Sequence, residues 1–321
     1  MEQYIAMQLE NQVLSIGTIY LDIHCLTFPI GEGLLKNKEI KGTDYLLSAG
    51  GSAFNFAKLC KHLGLHTSFI GKRGNDAMGD LVEHEIKKSG VEPILSIDSN
   101  AQTNIAVHYI NEKGESIMTS CGSANQALDG DSVYTALEKS VANASFLYLG
   151  GCYKLKQLLP KYAQFAQLAQ KNNVKVIVDH GRVNNSVTTQ DMKYVHQLLT
   201  FTDFYLPSKD EFLQTWGVSS IQKGMLKARK VTAAEIIVKD SEHGAHVLKG
   251  SRMITIPSHT VAVMNTVGAG DSFNAGFILG TARGYTIMDS VRLANAVAAT
   301  YISEPGLPSL KSINNYFEKE Q

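Results

Sequence analysis

Asp271 stands in the run Asn265-Thr266-Val267-Gly268-Ala269-Gly270-Asp271-Ser272-Phe273-Asn274-Ala275-Gly276-Phe277, directly behind a Gly-Ala-Gly turn. Small residues let a ligand approach the backbone closely, and such a turn aims several N–H groups at one point. A strand-like run, His259–Met264, leads into the turn and an apolar helical pattern leaves it. That point therefore lies at a helix N-terminus, where unpaired N–H donors and the helix dipole favour an anion. Asp271 has two readings there. It can cap the helix, worth about 1 kcal/mol. Beside an anion hole it can instead take the proton of a hydroxyl that attacks a phosphate. That role needs no raised pKa, because the alcohol loses its proton late.

Other chemistry-bearing patterns are absent or open. No G-x-x-x-x-G-K-[ST] run exists, which excludes a Walker loop, and no G-x-G-x-x-G follows the first strand. Gly50-Gly51 precedes a helix that carries Asn55, which on its own reads as a tight turn. His243 and His246 form an HxxH without an acidic or Cys partner at ligand spacing, so they read as a turn with two ordinary histidines. The four cysteines, Cys25, Cys60, Cys121 and Cys152, contain no CxxC pair. They read as reduced, mostly buried thiols of a cytoplasmic protein.

The elements that must position Asp271 alternate along the chain. Apolar runs at Val13–Gly17, Thr67–Ile70, Phe146–Leu149, Val174–Val178, Phe204–Leu206 and Glu235–Val238 predict strands. Between them, 3.6-residue periodicity predicts helices over Phe54–Leu63, Met78–Ser89, Leu155–Gln170, Asp191–Leu199 and Met225–Ala233. Gly268–Arg283, Ile287–Ser303 and a shorter stretch near Ser309–Glu318 add helices at the end. Such alternation argues for right-handed βαβ units around a mostly parallel sheet. Two stretches break the rhythm. Residues 19–48 hold no convincing helix and carry Gly31, Gly33 and Gly42. Residues 103–121 read as a hairpin turning at Asn111-Glu112-Lys113-Gly114. Four short strands there can form a second small sheet, either as a lid or as ordinary surface excursions.

Composition limits what else the chain can be. It has 321 residues, and 30 Lys+Arg against 30 Asp+Glu leave no net charge. That gives no global pull toward nucleic acid or an anionic membrane. With 44% hydrophobic and 19% charged residues the chain is globular rather than disordered. No apolar run approaches the ~18 residues of a membrane span, and MEQYIAMQLENQ lacks the pattern of a secretory signal. No repeat or Pro-rich linker divides the chain.

Together the motifs resemble a known family. NTVGAGDSFNAGF resembles the C-terminal signature of the ribokinase-like (PfkB) carbohydrate kinases. AGGSAFNFAKLCKHLG resembles their N-terminal signature, and IGKRGNDAMGDLVEHEIKKSGVE follows the family's wording after it. Order and spacing fit over nearly the whole chain. The resemblance implies an ATP-dependent kinase with a doubly wound, mostly parallel α/β domain flanked by helices and bearing a small β-sheet lid. The expected division is 1–18, 49–102 and 122–321 for the large domain, with 19–48 and 103–121 as the lid. By the resemblance, Asp271 matches the catalytic base, and Val267, Gly268, Ala269 and Gly270 match the γ-phosphate anion hole. Asp22 matches the substrate carboxylate, which can accept from two neighbouring hydroxyls, and Gly50, Gly51 and Asn55 match the rest of the sugar pocket.

The nucleotide side departs from the pattern. The family's Asn-x-x-Glu becomes Ser208-Lys209-Asp210-Glu211, where Glu211 can still organise water around Mg2+. Its Thr-x-Gly-x-x-Gly turn becomes Lys239-Asp240-Ser241-Glu242-His243-Gly244, keeping only Gly244. Lys239 can meet a phosphate as a point charge or lie in solvent. Asn295 falls where the adenine pocket is lined, or is a helix-surface Asn. Asn265 replaces the Asp that begins the signature, which bears on K+ activation. Asp179 and Arg182 match an Asp-x-x-Arg segment with pocket-adjacent or structural roles.

Three function classes follow. The first is an ATP- and Mg2+-dependent sugar kinase, with fructose, ribose or 2-keto-3-deoxygluconate fitting the pocket. The second is an adenosine- or cytidine-type nucleoside kinase, in which His24, Phe28, Tyr45, His108 and Tyr109 stack on a base or form lid core. The third is a non-catalytic regulator that binds sugar or nucleotide, motivated by Ser208, Lys239, Ser241 and Asn265. A Rossmann dehydrogenase comes last, for want of its fingerprint. A sugar-phosphate acceptor is disfavoured, since the lid offers only Lys36, Lys38, Lys41 and Lys113. The exposed edge of a small sheet gives a physical reason for a homodimer through the lid.

Overall fold

Alternate side chains of the central strands enter two different cores, which is why one sheet can carry helices on both faces. In β1 (Leu9–Ile16) Val13 joins one core while Leu14 and Ile16 join the other. In β8 (Ala144–Gly150) Phe146 and Tyr148 part from Leu147 and Leu149 in the same way. This is the period-two pattern of a strand buried on both faces. The computed structural model describes residues 9–27, 41–112 and 116–318.

Among these residues the main sheet has nine strands in the order β13-β12-β11-β10-β9-β8-β1-β4-β5. Those not yet placed are β4 (Leu65–Gly74), β5 (Glu92–Asp98), β9 (Lys175–Asp179), β10 (Phe204–Tyr205), β11 (Glu235–Lys239), β12 (Ala245–Lys249) and β13 (Arg252–Ile256). Every pairing from β11 to β5 is parallel, and only the β11–β12 and β12–β13 pairings at one edge are antiparallel. Helices α1 (Ser52–His62), α2 (Ala77–Lys88), α8 (Ala269–Ala282), α9 (Ile287–Ser303) and α10 (Leu310–Phe317) line the first core. Helices α3 (Gly130–Ser140), α4 (Tyr162–Lys171), α5 (Thr189–Leu199), α6 (Lys209–Trp216) and α7 (Ile221–Ala228) line the second. Helix α8 is buried without interruption from Asp271 to Gly280, as expected of a helix apolar on every side.

A second sheet stands apart, with strand order β3-β2-β6-β7. Its members are β2 (Tyr20–Leu26), β3 (Asp44–Gly50), β6 (Ile105–Ile110) and β7 (Ser116–Cys121). They come from the two stretches that broke the helix–strand rhythm. Gly31, Gly33, Phe28, Lys36, Lys38, Lys113 and Gly114 lie outside the described residues.

Several expected elements differ. His259–Met264 is not a strand; it is a loop whose Met264 N–H bonds to Ile302 O on α9 at 2.8 Å. The helix expected from Leu155 starts only at Tyr162, because Pro160 cannot continue a helical ladder and residues 155–161 form tight turns. The hairpin β12–β13 and helix α6 are short and were not expected, and helix α3 was not expected although it is as long as α1. The described residues contain no helix long and apolar enough to cross a membrane.

Candidate active site

The strand order reverses between β1 and β8, and in open parallel sheets ligands bind beyond the strands' carboxyl ends at such a switch point. Two helix N-termini converge on one carboxylate there. Asp271 occupies the first turn of α8, behind the left-handed Gly268 (φ 86°). Ser52, the first residue of α1, donates its hydroxyl to Asp271 Oδ1 at 2.7 Å. Asn55, one turn further along α1, is a second hydrogen-bonding neighbour of the same carboxylate. Burial pushes the Asp271 pKa up to about 7, against the Ser52 bond. Ser52 was missed in the sequence reading, although it precedes Asn55 by three residues and so shares its helix face.

The glycine turn is more selective than its sequence suggested. Val267 N–H is taken by Asn265 Oδ1 at 2.9 Å, and Ala269 N–H by Thr266 O at 3.1 Å. Val267 and Ala269 therefore do not present the amides expected of them. Among the described residues the N–H groups of Gly268, Gly270 and Asp271 have no backbone acceptor, so these three fit an anion at the helix N-terminus. A Cβ at Gly268 would stand 2.9 Å from Tyr301 Oη, which keeps this position glycine for space as well as for φ.

Asp22, on β2, forms the other end of the site. Burial raises its pKa to about 7, although Lys154 and Lys58 lie near enough to lower it. Among the described residues no hydrogen bond to its carboxylate is formed. Gly50 pairs with Tyr20 on the neighbouring strand, and a Cβ there would lie 1.8 Å from Asp22 Oδ2. Gly50 thus makes room for the carboxylate itself. Gly51 is the left-handed-region residue (φ 106°) that turns the chain into α1, facing Thr18 O.

Beneath the glycine turn lies a paired charge cluster. Lys239 Nζ, at the end of β11, bonds to Asp179 Oδ2 at 2.6 Å and to Asn274 Oδ1 at 3.1 Å. Asn274 Nδ2 donates to Asp179 Oδ2 at 2.7 Å and to Tyr148 Oη at 3.1 Å. Burial opposes ionisation of Asp179, but the Lys239 ammonium and the Asn274 amide outweigh it and hold its pKa below the usual range. Lys239 is consequently neither solvated nor free, and it lies 3.5 Å from where a Cβ of Gly270 would be. Arg182 is exposed.

On the nucleotide side, Ser208 caps α6 and its N–H bonds back to Glu211 Oε2 at 3.0 Å. Serine caps helices as well as asparagine does, so this departure from the family pattern preserves the local structure. Glu211 uses Oε2 in that contact. The described residues hold no group of three or more His, Cys, Asp or Glu that could bind a metal by themselves. Gly244 (φ 86°) closes the turn after β11 against Ile256 O. Asn295 is buried and donates to Pro257 O at 2.7 Å, tying down the loop after β13. His246 bonds to Thr255 Oγ1 and Asp240, leaving the HxxH committed to this turn.

A model of the pfkB family of carbohydrate kinases matches residues 11–312. An uncharacterised sugar kinase of Archaeoglobus fulgidus is 25% identical, covering 76% of this chain and 94% of its own. The ribokinase of Haemophilus influenzae is 24% identical over 84% of this chain and 86% of its own. The adenosine kinase of Schizosaccharomyces pombe is also 24% identical, over 81% of each. Among solved structures, Arabidopsis thaliana ribokinase complexed with ribose and ATP superposes with a TM-score of 0.76 at 23% identity, covering 96% of this chain and 98% of that one. An E. coli protein described provisionally as ribokinase II, in complex with ATP and Mg2+, gives 0.79 at 20% identity, covering 96% and 99%. The chain belongs to the pfkB family of carbohydrate kinases, and its activity class is that family's.

Proposed function

We propose that this chain transfers the γ-phosphoryl group of Mg·ATP to a hydroxyl of a small sugar or sugar-like acceptor, with Asp271 as the base. The observation that carries the reading is Asp271 itself, a buried carboxyl with a pKa near 7 in the first turn of α8. A base of that pKa is half ionised at neutral pH and takes a proton readily as the phosphoryl group arrives. The N–H groups of Gly268, Gly270 and Asp271 receive the transferred group's negative charge. Ser52 and Asn55 hold the carboxylate oriented. Asp22 binds the acceptor by its hydroxyls, and the β2-β3-β6-β7 sheet acts as the lid that keeps water from competing. Lys239, through Asp179 and Asn274, braces the turn from below. Glu211 is the residue placed to organise water on Mg2+, whose chemistry is to neutralise charge on the phosphates.

The second reading, a nucleoside kinase, is favoured by one observation: the stacked rings of His24 and His108 on the small sheet, 4.7 Å apart. The third, a binding-only regulator, loses its motive where Ser208 keeps its cap. Tyr45, Leu47 and Ile117 are exposed on the opposite face of the small sheet, which supports pairing of two copies there.

The test is ATP consumption against D-ribose, D-fructose, 2-keto-3-deoxygluconate and adenosine, with Mg2+, with and without K+, and with the Asp271→Asn protein alongside. Turnover of one class, lost in the variant, supports the reading and names the acceptor. ATP binding without turnover of any acceptor moves the weight to a regulator.

A further inference from the structure

A buried imidazole nitrogen and a half-buried carboxylate face each other across the small sheet. In the parallel pairing of β2 with β6, Asp22 lies opposite Ala106 and His24 opposite His108. Asp22, His24, Ala106 and His108 therefore share one face, because strand side chains alternate. His108 Nε2 stands 3.8 Å from Asp22 Oδ1, too far for a hydrogen bond, with the two side chains 15% and 16% exposed. His108 Nε2 is buried and has no hydrogen-bond partner among the described residues. Native proteins rarely leave such atoms unpaired, and the exceptions concentrate where function needs them. The ring is also held in place. His24 stacks on it at 17° between planes, and His24 Nε2 bonds to Ser48 Oγ at 3.2 Å. Leu46 and Met118, in register with the two imidazoles, give the row apolar borders. The negative carboxylate opposite favours the tautomer with its proton on Nε2.

We propose that His108 is a specificity-determining residue of the acceptor site, sharing one acceptor hydroxyl with Asp22. The hydroxyl donates a hydrogen bond to Asp22 Oδ1 and accepts one from His108 Nε2–H. The acceptor class this fits is a polyol with a free hydroxyl remote from the one phosphorylated, an unmodified sugar or the ribose of a nucleoside. A molecule bearing a carboxylate or phosphate at that position is repelled by Asp22 in its ionised form. The inference rests on the phosphotransfer reading above.

The test uses D-ribose, D-fructose and adenosine, and then the single-deoxy analogues of the one turned over fastest. His108→Leu keeps the bulk against His24 without a donor, whereas His108→Gln restores an N–H at similar reach. The expected result for His108→Leu is an acceptor KM raised about tenfold or more, with the KM for ATP and kcat little changed. His108→Gln recovers most of that loss. One deoxy analogue, weak with the wild type, is not weakened further by His108→Leu. An unchanged acceptor KM in His108→Leu, no recovery in His108→Gln, or an equal added loss on every deoxy analogue overturns the role of His108 while leaving the kinase reading intact. No turnover of any acceptor by the wild type overturns both.

Discussion

Four buried or half-buried aspartates near the cleft divide into two pairs with opposite electrostatics. Asp22 and Asp271 are not paired with a cation within hydrogen-bond reach, and burial lifts both to a pKa of about 7. Asp179 is as deeply buried as Asp271, and Asp240 lies nearer the surface, yet both are held below the usual range. Burial opposes this in each, but Lys239 and Asn274 outweigh it at Asp179, and Lys209 and His246 at Asp240. In the proposed reaction the first pair faces the acceptor and the transferred phosphoryl group. The second fixes the turns behind it. The difference teaches that burial alone does not mark a working carboxylate; burial without a counter-charge does, because such a group is poised to change its proton near neutral pH.

The largest expected break in this comparison is at Asp271. Asp271→Asn should lower kcat by ~10²-fold or more with the nucleotide Kd nearly unchanged, as read by steady-state kinetics and equilibrium binding. Near-wild-type turnover would remove Asp271 from the chemistry. On the other side, Lys239→Met leaves Asp179 buried and uncompensated. It should destabilise the fold by about 3–5 kcal/mol in denaturant titration. Lys209→Met, whose side chain is 41% exposed, should cost less than about 1 kcal/mol by the same measurement. Equal losses would erase the distinction between the buried and the exposed pair.

A pH series sharpens it further. A carboxyl whose folded pKa is raised binds more protons in the native state, so its contribution to stability is present at low pH and is lost as pH rises from about 4 through about 7. Asp22→Asn and Asp271→Asn should therefore each be more stable than the wild type at pH 8, on the order of 1–3 kcal/mol. The gain should vanish at pH 4. Asp240→Asn should show the opposite sign at pH 8. Thermal melts at the two pH values decide this. The smallest effect is at the α6 cap: Ser208→Ala should cost about 1 kcal/mol, and Ser208→Asn close to nothing.

How much was legible follows the same division. The parallel sheet, the small second sheet and Asp271 behind its glycine turn could all be read. Strand and helix periodicity report burial directly, and glycine, alanine and aspartate at fixed spacing report a turn. The hairpin β12–β13 and the start of α4 could not, because short edge strands carry little pattern and Pro160 acts on a ladder already weak. Nor could Ser52 or Asn274, whose partners lie 219 and 95 positions away at Asp271 and Asp179, nor the approach of His108, legible only as a lid residue, to Asp22. The allocation of single amides was equally hidden. Asn265 spends the Val267 N–H in a contact that Asn allows but does not compel. Lys239 read as a phosphate contact or a solvated charge until Asp179 was found beside it.

Carboxyl 13C NMR titration of the aspartates, repeated with Asp22→Asn and Asp271→Asn to assign the signals, tests the central claim most directly. The account predicts two carboxyls titrating near pH 7, each lost in its own variant, with Asp179 and Asp240 ionised throughout the neutral range. Asp22 and Asp271 both titrating below about pH 5, in the ordinary carboxylate range, would contradict it.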